Sequence, residues 1–73
     1  MTGQQALIAP MAGTIVKVQV QPGQHVTEHQ ALIILTAMKM EHTIAAPHAG
    51  TVKRINCKEG DVVKGGVVLV EIE

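Results

Sequence analysis

Short β-branched runs separated by glycine and proline set the rhythm of this chain. Leu7-Ile8-Ala9 is a brief run that stops at Pro10. From Thr14 to Val20 the residues alternate, with Ile15, Lys17 and Gln19 on one side and Thr14, Val16, Val18 and Val20 on the other. A period of two marks a half-buried strand, and the valine side is the better core candidate. Ala31 to Thr36 is almost continuously apolar, which predicts a strand covered on both faces. Glu41 to Ala46, Thr51 to Cys57 and Val67 to Ile72 bring the total to six or seven strands. Val26 and Val62-Val63 are candidate short additions. Gln21-Pro22-Gly23-Gln24 has the type II turn signature, proline setting φ at the second position and glycine accepting positive φ at the third. Lys58-Glu59-Gly60-Asp61 is its counterpart, and Gly65-Gly66 reads as a turn matching Glu28-His29. No helical stripe competes, so the pattern predicts an all-β sandwich or barrel.

The pattern also repeats. Pro10-Met11-Ala12-Gly13-Thr14-Ile15-Val16-Lys17 recurs as Pro47-His48-Ala49-Gly50-Thr51-Val52-Lys53-Arg54, and Pro22-Gly23-Gln24-His25-Val26 as Glu59-Gly60-Asp61-Val62-Val63, both at an offset of 37 residues. For the last strands Ala31-Leu32-Ile33-Ile34-Leu35 answers Gly66-Val67-Val68-Leu69-Val70, a slip to 35. Two copies are too few for a solenoid, which needs about three. They predict one domain with internal pseudo-two-fold symmetry, in which Gly13, Gly23, Gly50 and Gly60 serve as structural turn residues. The domain is expected over residues 7–73, with 1–6 as a flexible leader.

Composition narrows the function. Seventy-three residues make a single domain that buries roughly 60 % of its unfolded surface. Ten Val, seven Ile and four Leu must form the core, since Phe, Trp and Tyr are absent. So small a core leaves little to wall an enzyme pocket. Six basic and six acidic residues cancel, which with no aromatics removes the charge and stacking terms of nucleic-acid binding. No apolar run reaches membrane length, and no signal-peptide pattern is present.

Between the repeats lies Ala37-Met38-Lys39-Met40, where two strands meet without the Gly, Pro, Asn or Asp that a tight hairpin favours. Such a connection presents a lysine at a tip between two polarizable thioethers. This segment, with Pro10-Met11-Ala12-Gly13-Thr14 before it and Ala46-Pro47-His48-Ala49-Gly50-Thr51-Val52 after it, resembles the biotin-attachment region of biotin carboxyl carrier domains. The resemblance spans roughly Leu7 to Glu73. It implies a flattened β-barrel of two four-stranded sheets, with the lysine on an exposed hairpin and the termini at the opposite end. It implies that a biotin protein ligase joins biotin to Lys39 by an amide. The biotin would then be carboxylated at a biotin carboxylase site, using ATP and bicarbonate, and unloaded at a carboxyltransferase site. The chain would be a non-catalytic carrier, monomeric when isolated. Lysine amines in water are largely protonated at neutral pH, and no base or second cation is evident beside Lys39, so the ligase must assist deprotonation. Ala37-Met38-Lys39-Met40-Glu41-His42-Thr43-Ile44 looks most like the acyl-CoA carboxylase carriers, especially the 3-methylcrotonyl-CoA type.

Alternatives stand beside this reading. Lys39 could be a solvated turn lysine, and Met38 and Met40 could pack in a core, although a hairpin tip is a poor place to bury both. Recognition by ligase or partner enzymes suits them better. Glu41 either helps present the site or is a solvated strand residue, and Ala37 is kept small by steric need. A lipoyl carrier has a similar fold, but its lysine typically sits in Asp-Lys-Ala, unlike Met38-Lys39-Met40. An unmodified biotinyl-lipoyl-like scaffold needs no lysine at the tip. Family members usually have glycine where His29 stands, and histidine tolerates positive φ better than most residues. His25, His29, His42 and His48 lack metal-ligand spacing, so no metal is expected. Cys57, in a strand-like stretch from Val52, reads as a packing residue.

Overall fold

The computed structural model describes residues 5–73 and contains eight strands: β1 (Gln5–Ile8), β2 (Gly13–Val18), β3 (His25–Val26), β4 (Ala31–Ala37), β5 (Met40–Ala45), β6 (Gly50–Ile55), β7 (Val62–Val63) and β8 (Val68–Ile72). They form two four-stranded antiparallel sheets, ordered β1-β8-β6-β3 and β5-β4-β2-β7. The described part is elongated, 37 × 19 × 17 Å. The short additions at Val26 and Val62-Val63 are strands, each completing one edge of a sheet. β1 takes in Gln5 and Ala6, paired with Ile72 and Glu71, so these two do not belong to the leader expected over residues 1–6. Residues 1–4 lie outside the described residues.

Adding four to each strand number turns the first sheet order into the second, which is the pseudo-two-fold symmetry in its topological form. Each half places two strands in one sheet and two in the other. β4 and β2 of the first half are flanked by β5 and β7 of the second, and β8 and β6 by β1 and β3. The outer strands of each half, β1 and β3 or β5 and β7, therefore pair only with strands of the other half, and residues 5–73 make one unit.

The offset stays at 37 throughout. Thr14, Ile15, Lys17 and Val18 face Thr36, Leu35, Ile34 and Ile33 across β2 and β4. Val52, Arg54 and Ile55, 37 positions on from the last three, face Ile72, Glu71 and Val70. Leu69 is thus the twin of Leu32, and the slip to 35 is not present. A slip of two leaves every side chain on its own face, so the apolar pattern alone does not distinguish the two alignments.

The valine face of the second strand is also corrected. A bulge between Ile15 and Lys17 leaves Val16 without a partner and turns it outward, 43 % exposed. Ile15 is buried, while Val18 and Val20 pack inward beyond the bulge. One extra residue in a strand exchanges its faces. The core comprises Ala9, Ile15, Val20, Val26, Leu32, Ile33, Leu35, Ala46, Val52, Leu69, Val70 and Ile72. β6 ends at Ile55, so Cys57 lies beyond the strand rather than within it, half-buried against this core.

Candidate functional site

β4 and β5 run together as a hairpin whose last pair is Ala37 with Met40, leaving a connection of two residues, Met38 and Lys39. Both have positive φ, 53° and 66°. Two-residue hairpins favour this geometry because its twist matches that of the flanking strands, and glycine or asparagine normally supplies it. An L side chain in the left-handed region costs about 1–2 kcal/mol, so holding two in succession requires firm strands on either side. β4 supplies the firmness. It is an inner strand of its sheet, paired with β2 and β5, with Leu32, Ile33 and Leu35 fully buried.

The consequence is outward display. Met38 is 85 % and Met40 63 % exposed, and Lys39 is exposed between them. Lys39 makes no hydrogen bond or ion pair to another described side chain. Glu41 is exposed on β5 opposite Thr36. Ala37 is buried at the hairpin root. Its methyl would lie 3.1 Å from any Cβ on Gly13, and that Cβ would also collide with the Thr36 carbonyl oxygen. Ala37 and Gly13 are thus small for one reason: β2 passes close under the base of the hairpin.

This corrects the turn reading of two glycines. Gly13 and Gly50 open β2 and β6, and each is small because backbone crosses it closely, Thr36 over one and Glu73 over the other. Nothing in the local sequence separates a close approach of this kind from a turn. Gly23 and Gly60 sit in turns, with φ of 87° and 91° and i to i+3 hydrogen bonds of 3.1 Å (Gln24 N to Gln21 O) and 3.0 Å (Asp61 N to Lys58 O). They bond to β6 and β2, not to the hairpin.

The histidines are dispersed. His25 and His29 are exposed, and His42 and His48 are half-buried. Among the described residues no group of His, Cys, Asp and Glu could hold a metal ion. His29 has φ of 69° and its ring lies 3.8 Å from the Glu28 carboxylate, with both side chains largely in water. Burial, and secondarily the Asp61 carboxylate, push the Cys57 thiol pKa up from its ordinary value. What the site offers chemically is therefore one accessible primary amine on a rigid, projecting support.

The family model described as "Biotin-requiring enzyme" matches residues 5–72. The chain is 52 % identical over 64 residues to a biotin carboxyl carrier protein of Streptococcus mutans, covering 88 % of this chain and 49 % of that one. It is 47 % identical over 70 residues to the mitochondrial methylcrotonoyl-CoA carboxylase subunit alpha of Rattus norvegicus, covering 96 % of this chain and 10 % of that one. The structure of a single-chain, multi-domain long-chain acyl-CoA carboxylase superposes with a TM-score of 0.86 at 38 % identity, covering 99 % of this chain and 7 % of that one. The chain thus spans about half the length of the streptococcal carrier and a tenth or less of the two carboxylase chains. With the family model covering almost every described residue and the two sheets superposing on a carboxylase, the chain belongs to the biotin-requiring enzyme family, as a biotin carboxyl carrier domain.

Proposed function

We propose that Lys39 is the residue that bears biotin, and that this domain carries a carboxyl group between a biotin carboxylase site and a carboxyltransferase site. The observation that carries this is the hairpin tip: a lysine exposed between two exposed methionines, on a strained two-residue connection. An amide-linked cofactor requires an accessible primary amine, and Lys39 fits that requirement. When bound, biotin supplies a ring nitrogen that takes up and gives up a carboxyl group. The chain supplies the rest: Lys39 the amine and a long flexible stem, β4 and β5 a stiff base, Met38 and Met40 an adaptable apolar surface for a biotin protein ligase or a partner enzyme. Glu41, beside them on β5, belongs to the same surface.

The domain performs no chemistry by itself, because among the described residues no base or acid is joined to Lys39 to activate its amine. It is monomeric when isolated. Of the four edge strands, β3 and β7 have two residues each and β1 four, and the six-residue β5 carries the exposed Glu41 charge, which gives edge-to-edge pairing little to hold. An acyl-CoA carboxylase is the class of parent enzyme favoured, and the 3-methylcrotonyl-CoA type fits the Ala37 to Ile44 segment. Intact mass after incubation with biotin, ATP and a biotin protein ligase tests the proposal. One biotinyl group should map to Lys39 and vanish in Lys39→Ala, while the variant keeps its fold. Labelling that persists in the folded variant excludes Lys39, and modification by a lipoate ligase instead would make this a lipoyl carrier.

A further inference from the structure

Sulfur is unevenly distributed in this molecule. Met38 and Met40 hold their thioethers in solvent at the hairpin, whereas Met11 is half-buried. The buried core among the described residues is wholly Ala, Val, Leu and Ile. Cys57 is half-buried and lies 4.0 Å from the Leu69 carbonyl oxygen, and burial together with Asp61 disfavours its thiolate. Peroxides attack thiolates and exposed thioethers, and both filters leave Cys57 and Met11 as poor targets. Among the described residues, the two groups most open to oxidation are those that flank Lys39.

We propose that Met38 and Met40 form a peroxide-sensitive modification site, and that their conversion to methionine sulfoxide blocks acylation of Lys39 while the fold stays intact. This rests on Lys39 being the acceptor. In the step, a thioether sulfur bonds to one oxygen of hydrogen peroxide as the O–O bond breaks, and the other oxygen leaves as water. Sulfur loses two electrons and the peroxide gains them. A dithiol reductant reverses the step, leaving as a disulfide while the oxygen departs as water.

The fold is insulated because the pairing of Ala37 with Met40 is made by backbone, and neither methionine belongs to the core cluster. The site is not insulated. A thioether accepts hydrogen bonds weakly and gives up its water readily. A sulfoxide is a strong acceptor that must be stripped of water when a ligase closes over the tip. Lys39 itself is chemically unchanged, so the block is reversible.

The test is limited hydrogen peroxide treatment, followed by peptide mapping, thermal unfolding and the initial rate of biotin incorporation by a biotin protein ligase. Met38 and Met40 should gain oxygen before Met11 and Cys57. The unfolding midpoint should move by less than about 2 °C. The incorporation rate should fall about tenfold or more, and methionine sulfoxide reductases should restore it. In a Met38→Leu/Met40→Leu variant, peroxide should leave the variant's own rate unchanged, whatever its starting value. Prior oxidation of Met11 or Cys57, an undiminished rate with both sulfoxides in place, a midpoint that falls with the rate, or peroxide inhibition of the leucine variant would each overturn the inference. Untreated protein that takes up no biotin would instead remove the attachment reading and this inference with it, a failure visible in the sample that never meets peroxide.

Discussion

The two halves of this domain share almost every described backbone hydrogen bond outside the strands, yet the candidate for chemistry lies on the connection between them. Gly23 N to Val52 O at 2.7 Å is matched by Gly60 N to Ile15 O at 2.8 Å. Gln19 N to Leu32 O is matched by Asn56 N to Leu69 O, both 2.8 Å, and His29 N to Ala46 O at 2.7 Å by Gly66 N to Ala9 O at 2.9 Å. The side-chain caps correspond too: Gln24 Oε1 accepts from Gln21 N at 3.1 Å, as Asp61 Oδ2 does from Lys58 N at 2.9 Å. The residues making these bonds are mostly different, so the frame is set by backbone direction and a few small residues. Met38 and Lys39 have no described twin, since positions 1 and 2, 37 residues earlier, lie outside the described residues. Two equivalent halves supply rigidity, and the one connection outside the equivalence supplies display.

Gly13 and Gly50 offer the strongest way to break that comparison. A methyl on either meets a backbone carbonyl oxygen, that of Thr36 or Glu73, with a Leu35 or Ile72 carbon 3.0 Å away in turn. Gly13→Ala and Gly50→Ala should each destabilise the domain by about 3 kcal/mol in urea unfolding, the upper end of overpacking costs. Only Gly13 lies under Thr36 and Ala37, at the root of the hairpin. In folded samples Gly13→Ala should therefore slow ligase labelling of Lys39 more than Gly50→Ala does. Equal slowing would mean that the hairpin is not mechanically separate from the rest of the frame.

A smaller effect should appear at the twin positions His29 and Gly66, with φ of 69° and 90°. Gly66→His should cost about 1 kcal/mol, since the left-handed conformation then holds a Cβ. His29→Gly should gain only about 0.5 kcal/mol, because glycine also frees the unfolded chain. Chemical denaturation of the two variants measures both, and opposite signs would show that the turns are equivalent in energy as well as in hydrogen bonding. The exposed pair of His29 and Glu28 contributes little to that difference.

The smallest expected effect concerns Cys57, whose twin 37 positions earlier is the buried Val20. The thiol's folded pKa is raised above its ordinary value by burial and the Asp61 carboxylate, so the unfolded chain releases the proton first as pH rises. Stability from this group is complete below the thiol's ordinary titration range and declines as pH climbs through that range toward the raised folded value. Unfolding midpoints followed above pH 9 should fall more for the wild type than for Cys57→Ala. Parallel curves would show that the thiol titrates alike in both states.

Much of the fold and of the site is legible in the residues alone. The strands, the positive φ at Gly23 and Gly60, the counterpart turns at Glu28-His29 and Gly65-Gly66, and the lysine between methionines all follow from local rules. A turn residue needs a particular φ whatever surrounds it, and a strand needs its alternation whatever it pairs with. The strain at Met38 and Lys39 is half legible: the absence of glycine at a tight connection is plain, but its left-handed backbone is not.

By itself, then, the amino-acid sequence determined an aliphatic all-β domain, its two-fold repetition and the placing of Lys39 between the halves. Tertiary structure alone decided the exchange of flanking strands between halves, the constant offset of 37, the outward turn of Val16 and the close approaches at Gly13 and Gly50. The reason is that strand periodicity is unchanged by a slip of two and contains no information about which distant strand comes alongside. Register, bulge and close contact are settled only when two surfaces far apart in the chain must fill one core without a gap.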